Sequence, residues 1–332
     1  MNPTNDFVVF SDIHIDYSPD RPKRLSAGLK MLKRILSQAG EAGQTVLFCG
    51  DLIDKAKADC RVTNGVTQVL QTVHDTYPNL NVILISGNHD QSGKNSLSSP
   101  VPTHAEIWPA AVAFSSMSQN VHYLIGNEDG VGYVIYTNPL SGIKYLIAGI
   151  DYLEFKEDQE HAIAAADLLR QSLHGHYEKC VLLIHQSPIT DGAEYIGTFD
   201  PKSPALEGWD MVFNGHIHQY ALLAANVVQV GIPMVTRHLE VPPCGFLLYD
   251  GKRGVVTRVL TDGEYPVYTD DPEAEQGYYR PVFEPTEKAA NSSLAIYAGL
   301  TPEEALKTYL HEVETDTEVV NRALNIANQL WN

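Results

Sequence analysis

The sequence predicts an α/β fold, a layered domain rich in strands that ends near Leu260 and is followed by an acidic connector and a short helical tail. Three observations predict it. Short apolar runs alternate near the N-terminus with segments whose apolar residues recur at helical spacing. Five polar signals each stand where an apolar run stops. The last seventy or so residues lose the apolar runs and turn acidic.

Taken in order, Phe7–Phe10 is a buried-strand run, and Leu25–Leu36 carries Leu25, Leu29, Leu32, Ile35 and Leu36 on one helical face. Thr45–Cys49 is a second strand, Val66–His74 a second helix and Val82–Ser86 a third strand. That βαβαβ order requires locally parallel strands joined by crossover helices. Further strands are expected at Val134–Thr137, Lys144–Gly149, Cys180–His185, Met211–Asn214, Val227–Val230 and Phe246–Tyr249, with a helix over Asp158–Ser172. Residues 261–292, rich in Pro, Asp, Glu and Tyr, read as a connector. The tail, 293–332, reads as a helical hairpin. Thr301-Pro302-Glu303-Glu304 and Thr315-Asp316-Thr317-Glu318 are capping boxes, each followed by an apolar stripe. The domain plan is therefore 1–260, 261–292 and 293–332.

Composition narrows the class. No stretch reaches the roughly 20 apolar residues of a membrane span. The opening MNPTNDFVVFSD has neither a basic segment nor a long apolar one, so a cytoplasmic location is expected. The four cysteines form no CxxC pair, which suits reduced core thiols. Formal net charge is −18, and residues 261–332 hold 14 acidic against 4 basic residues, which argues against an all-round nucleic-acid surface.

The chemistry lies in the five signals. Asp12-Ile13-His14 follows FVVFS, and alternate residues at a strand end can point the same way. Gly50-Asp51 follows TVLFC, where glycine permits a sharp turn and a carboxylate has oxygens enough to bridge two cations. Gly87-Asn88-His89-Asp90 follows VILIS. Asn88 offers a neutral oxygen, His89 can meet a phosphate or protonate a leaving group, and Asp90 can orient that ring. His185 closes CVLLI, and Gly215-His216-Ile217-His218 follows MVFN. Each alone has an ordinary structural reading, as a cap, a turn or a surface histidine. Five together, all at strand ends, supply nitrogen and oxygen donors that suit manganese, iron or zinc rather than calcium. The other histidines (74, 104, 122, 161, 174, 176, 238 and 311) lack this placement and read as surface or core residues.

Asp-x-His, Gly-Asp, Gly-Asn-His-Asp, a single His and Gly-His-x-His, in this order over residues 7 to about 250, resemble the calcineurin-like metallophosphoesterase superfamily. The resemblance implies a four-layer α-β-β-α sandwich. It assigns Asp12, His14 and His218 to one metal, Asn88, His185 and His216 to the other, and Asp51 to both. His89 would be the acid or phosphate-contacting residue, oriented by Asp90. Two divalent ions are implied, manganese first, with iron, zinc and magnesium as alternatives. Such paired cations supply a hydroxide at neutral pH and clamp phosphoryl oxygens.

GDLID at 50–54, SGNHD at 86–90, GWDMVFNGHIHQY at 208–220, VVQVGIPMVTRHLE and GFLLYDGKRG are most similar to SbcD-type DNA repair and recombination nuclease subunits, phage versions included. That similarity implies an exonuclease and endonuclease acting on DNA. It also implies an SbcC-type coiled-coil ABC ATPase as partner of residues 293–332, and a homodimer. The short, acidic connector and the lack of a basic stripe depart from the full-length pattern and suit a compact version. A stand-alone phosphodiesterase or phosphatase for a nucleotide or other small ester is the alternative. A scaffold that had lost its metals would lack ligands, and every expected position is filled.

Overall fold

The structure is a computed structural model, describing residues 5–17, 22–56, 58–91, 120–189, 199–236, 240, 243–261, 268–269 and 278–279. The chain divides into two units, Met1–Tyr279 and Arg280–Asn332. The second unit, and with it the expected hairpin over 293–332, lies outside the described residues. So does the connector over 261–292, apart from Thr261 and two paired dipeptides given below.

The first unit opens with β1 (Phe7–Phe10), α1 (Pro22–Ala42), β2 (Thr45–Cys49), α2 (Cys60–Thr76), β3 (Val82–Ile85) and β4 (Val121–Tyr123). Strands β1 to β4 pair side by side in parallel, as the crossover helices require. A second group follows: β5 (Gly132–Thr137), β6 (Lys144–Ile150), α3 (Lys156–Ser172), β7 (Lys179–Ile184), α4 (Pro204–Glu207), β8 (Met211–Asn214), β9 (Ala221–Ala224) and β10 (Val227–Gln229). It forms a six-stranded sheet in the order β5-β6-β7-β8-β10-β9, with β6, β7, β8 and β10 parallel. Then β11 (Gly245–Asp250) returns to the first sheet and pairs antiparallel with β1, Phe7 opposite Tyr249. With β12 (Val255–Leu260) at its edge, that sheet also has six strands. Beyond it, β13 (Tyr268–Thr269) and β14 (Tyr278–Tyr279) pair in parallel.

Alternation along the strands builds the layers. Phe7 and Val9 enter the core between the sheets with Leu47, Ile83, Val181, Leu183 and Phe213. Val8 and Phe10 point the other way, against Met31, Leu32 and Ile35 of α1 and Val62 and Val66 of α2. On the far side, Leu146, Leu182 and Val212 pack under Ala162, Ile163 and Ala166 of α3. The result is helix, sheet, sheet, helix, the four-layer sandwich expected above. Both faces of the central strands are covered, so those strands read as unbroken apolar runs.

The expected strands and helices over residues 7–249 are present, with ends shifted by a few residues. Strands β4, β9 and β12 and the short α4 were not anticipated. The three strands are sheet edges with half-buried or exposed residues, where the apolar signal is diluted. Among the described residues no helix is long and apolar enough to cross a membrane.

Candidate metal centre

Strands β1, β2 and β3 of one sheet and β7 and β8 of the other deliver their following residues to one place. The loops after β1 and β2 run alongside each other: Asp12 N donates to Gly50 O at 2.9 Å, His14 N to Asp51 O at 3.1 Å and Ile15 N to Leu52 O at 2.9 Å. His185 Nδ1 donates to Cys49 O at 2.6 Å, joining the second sheet to the first. Asp12 Oδ2 accepts from His216 N at 3.0 Å across the same seam. Ile13 does turn into the core. Strand alternation, however, is not what brings Asp12 and His14 together. Both have left the extended conformation, with φ of 53° and 46°. Among the described non-glycine residues positive φ occurs at four positions, Asp12, His14, Asp51 and His216. All four belong to this cluster, and strain of that kind concentrates at functional sites. Space is equally tight. A Cβ on Gly87 would stand 2.2 Å from Asp51 Oδ1, so only glycine lets the β3 loop pass the carboxylate.

The side chains named from the sequence converge. His14 Nε2 lies 3.0 Å from His218 Nε2, 3.7 Å from Asp12 Oδ1 and 3.5 Å from Asp51 Oδ2. His185 Nε2 lies 3.2 Å from Asp51 Oδ2 and 3.3 Å from Asn88 Oδ1, and His216 Nδ1 lies 3.0 Å from the same amide oxygen. Ligands that share an ion at ~2.0–2.3 Å stand about 3–4 Å from one another. Asp12 Oδ1 is buried without a hydrogen bond, while Nε2 of His14, His185 and His218 surround it at 3.6–3.9 Å. An orphaned carboxylate oxygen ringed by imidazoles beyond hydrogen-bond reach is the arrangement a cation completes. Donors of Asp12, His14 and His218 form one compact group, and those of Asp12, Asp51 and His185 another. The residues fit two divalent ions. Asp12, His14 and His218 would hold one and Asn88, His185 and His216 the other, with Asp51 between them.

Electrostatics point the same way. Burial alone would raise Asp12 and Asp51, yet the charge of His185 and the other imidazoles close by hold both carboxylates below their ordinary range. Burial pulls His185 down, but Asp51 and Asp12 outweigh it and push the ring up to about 9. His216 is lowered to about 4 by burial and by His185, so its ring is neutral and able to ligate at pH 7. Two ionised carboxylates this deeply buried need a positive partner.

One expected role is corrected. Asp90 does not turn its carboxylate to the His89 ring. Its oxygens accept from Asp51 N at 2.7 Å, Gly87 N at 3.0 Å, Leu52 N at 3.1 Å and Ile53 N at 3.4 Å. Burial and the neighbouring Asp51 charge raise it to about 7, against those amide donors. It shapes the turn that presents Asp51. The His89 ring instead donates from Nδ1 to Asp54 O at 2.6 Å. The His89 side chain is 27% exposed, against 15% for His218 and 2% or less for Asp12, His14, Asp51 and His185.

Two residues the sequence reading passed over also serve the site. Glu240 accepts from Nδ1 of His218 and is itself held by Thr236 N at 2.6 Å and by the Thr236 hydroxyl. Asp54 lies 3.5 Å from His14 Nδ1. Both carboxylates stand inside stretches quoted above, GDLID and VTRHLE, and an acid a few residues from a strand end is the signal that could have marked them. Of the histidines read as bystanders, His161 pairs with Asp129 on the surface, away from this cluster.

Three solved structures show similarity to this chain at low identity. A dimetal phosphatase from Danio rerio is 12% identical, with 75% of this chain and 94% of that chain covered, and a TM-score of 0.45. An archaeal phosphodiesterase is 13% identical over 76% of this chain and 98% of that one, with a TM-score of 0.37. A calcineurin-like phosphoesterase from Bacillus subtilis is 14% identical over 68% and 80%, with a TM-score of 0.41. No curated protein matches the sequence. The family model described as calcineurin-like phosphoesterase matches residues 6–220, which takes in the five signals and the strands that carry them. With that match spanning well over half its length, the chain belongs to the calcineurin-like phosphoesterase family.

Proposed function

We propose that this phosphoester hydrolase is a DNA nuclease, an exonuclease and endonuclease subunit of an SbcCD-like recombination and repair complex, with manganese as its working metal. The observation that carries the reading is the pairing of a two-ion ligand cluster with His89, a partly exposed imidazole whose Nδ1 is committed to Asp54 O. A phosphodiester expels an alkoxide, a poor leaving group that gains most from a proton donor. Bound divalent ions would supply the nucleophile and stabilise phosphoryl charge. Asp12, His14, Asp51, Asn88, His185, His216 and His218 hold the ions, Asp90 shapes the Asp51 turn, and His89 delivers a proton from Nε2 to the departing oxygen. The sequence similarity over 50–90 and 208–254 supports DNA as the substrate. The tail pattern over 293–332 supports an ABC-type ATPase as the partner in a cytoplasmic complex built on a homodimer.

A second reading, a stand-alone phosphodiesterase or phosphatase for a small ester, is favoured by the formal net charge of −18, which repels a bare DNA backbone. Manganese-dependent cleavage of labelled single- and double-stranded DNA, with bis-p-nitrophenyl phosphate in parallel, separates the two. The nuclease reading requires DNA cleavage by this chain or by this chain with its ATPase. In His89→Ala that cleavage should fall by ~10²–10⁴, the range of a lost general acid. Turnover of the small diester with DNA left intact in both settings would overturn it.

A further inference from the structure

We propose that Gln229 is a positioning residue: its side-chain amide clamps the strained turn that carries His216 and so sets the affinity of one of the two ion sites. The inference rests on the metal-centre assignment and not on which ester is cleaved. The turn itself is unusual. Ile217 N donates back to Gly215 O at 3.0 Å, closing a three-residue loop with His216 at its centre and a φ of 75° there. That φ belongs to the strained form of the γ-turn, which is rare for residues with a side chain. Left to itself the backbone would relax and carry the ring away from Asn88 Oδ1, 3.0 Å from His216 Nδ1.

Gln229 supplies the hold from the end of β10. Its Nε2 lies 2.6 Å from Gly215 O, 3.0 Å from Asn214 O and 3.1 Å from Ile217 O, so it donates on both sides of His216. Its Oε1 accepts from Asn214 Nδ2 at 2.8 Å. The reversed amide would set an oxygen against three carbonyls, which fixes its orientation. Asn214 passes the tie along the sheet. Its side chain exchanges two hydrogen bonds of 2.9 Å with the main chain of Gln186, the residue after His185. Gln186 Nε2 in turn donates to Asp151 O at 3.0 Å, just beyond β6. All three carboxamides are 1% exposed or less. Burying an amide is unfavourable unless it is bonded, and Val227, Val228 and Val230 show that this stretch otherwise packs with apolar side chains. A carboxamide at 229 therefore answers to the turn and not to the core. Being neutral, it holds the loop without setting a charge beside the ions, whereas a glutamate there would lose both N–H donors.

The test is calorimetric titration of the metal-stripped full chain with manganese, wild type against Gln229→Met, which keeps the length and removes the amide. We expect one binding event, that of the ion His216 shares with Asn88 and His185, to weaken by roughly 10- to 100-fold, the usual cost of losing support behind a ligand. The other event should stay within about threefold of wild type. Ile35→Ala, in the core under α1, is the control: it should lower the melting temperature and leave both affinities unchanged. At saturating manganese, Gln229→Met should recover most of its kcat on bis-p-nitrophenyl phosphate. Both events unchanged in Gln229→Met, or both weakened alike, would overturn the proposal. A wild type that takes up no metal would overturn it together with the metal-centre assignment. Should Gln229→Met fail to fold, the wild type labelled with 15N-glutamine decides the matter. In the metal-free protein the Gln229 side-chain amide should exchange its protons on the order of 100-fold more slowly than a free carboxamide, and its signals should move when zinc is added. Exchange at the free rate, or signals that zinc leaves in place, would overturn the proposal.

Discussion

Single residues differ most sharply in what burial does to their chemistry, and the thiols make this measurable. Cys49, Cys180 and Cys244 are buried and Cys60 is exposed. Burial and the Asp12 charge push Cys49 well above the usual thiol range, and burial raises Cys180 to about 12. A thiol reagent attacks the thiolate, so at pH 8 one equivalent of the four should react rapidly in the folded protein and the rest only after unfolding. Two or more fast equivalents, counted by mass spectrometry, would contradict this burial pattern. The residues that converge at the candidate metal centre were legible because each stands where an apolar run ends, a contrast visible without coordinates. Asp54 and Glu240 were not legible. Their work depends on which atom of a histidine they face, and nothing in a linear order states that. Asp90 misled for the same reason: adjacency to His89 suggested contact, while the fold turned its carboxylate to the amides of the β2 loop.

Among the elements, position within a sheet decides what a substitution costs. Leu183 on β7 is wholly buried between the sheets, beside Val181 and Phe213. Leu183→Ala should destabilise by ~3–5 kcal/mol, the range for a large cavity in a packed core. Leu222 on edge strand β9 is 66% exposed, and Leu222→Ala should stay within about 0.5 kcal/mol of wild type. Urea denaturation of both variants checks the contrast, and equal midpoints would refute the edge and centre assignment. The same distinction explains which elements the sequence revealed. Strands covered on both faces, such as VLLI of β7, announce themselves. Strand β12, with its mix of exposed and half-buried residues, and the three-residue β4 carry no such run.

For the whole molecule, acid and base work against each other at the metal centre. In the metal-free protein Asp90 is raised from 3.8 to about 7 and His185 from 6.5 to about 9. Each contributes stability that is complete below its unfolded value and lost as pH climbs through its folded one. Asp12 and Asp51 are lowered and contribute the opposite way, above 3.8 and lost on acidification. His216, lowered to about 4, works against Asp90 up to 6.5, so stability without metal should fall chiefly as pH rises from about 6.5 to 9. A divalent ion held by His185 would compete with the proton there, so any rise in melting temperature on adding manganese should grow over that interval. Scanning calorimetry with and without manganese at pH 6 and 8.5 tests this, and a metal-induced shift that shrinks with pH would refute it. The seam that joins the two sheets also sets an order of assembly during synthesis. Asp12 and the His216 amide it meets are 204 residues apart, and β1 waits for β11 on its open flank. A nascent chain stalled before β8 would carry its carboxylates without half of their histidines, so the enzyme comes into being only as its last strands leave the ribosome.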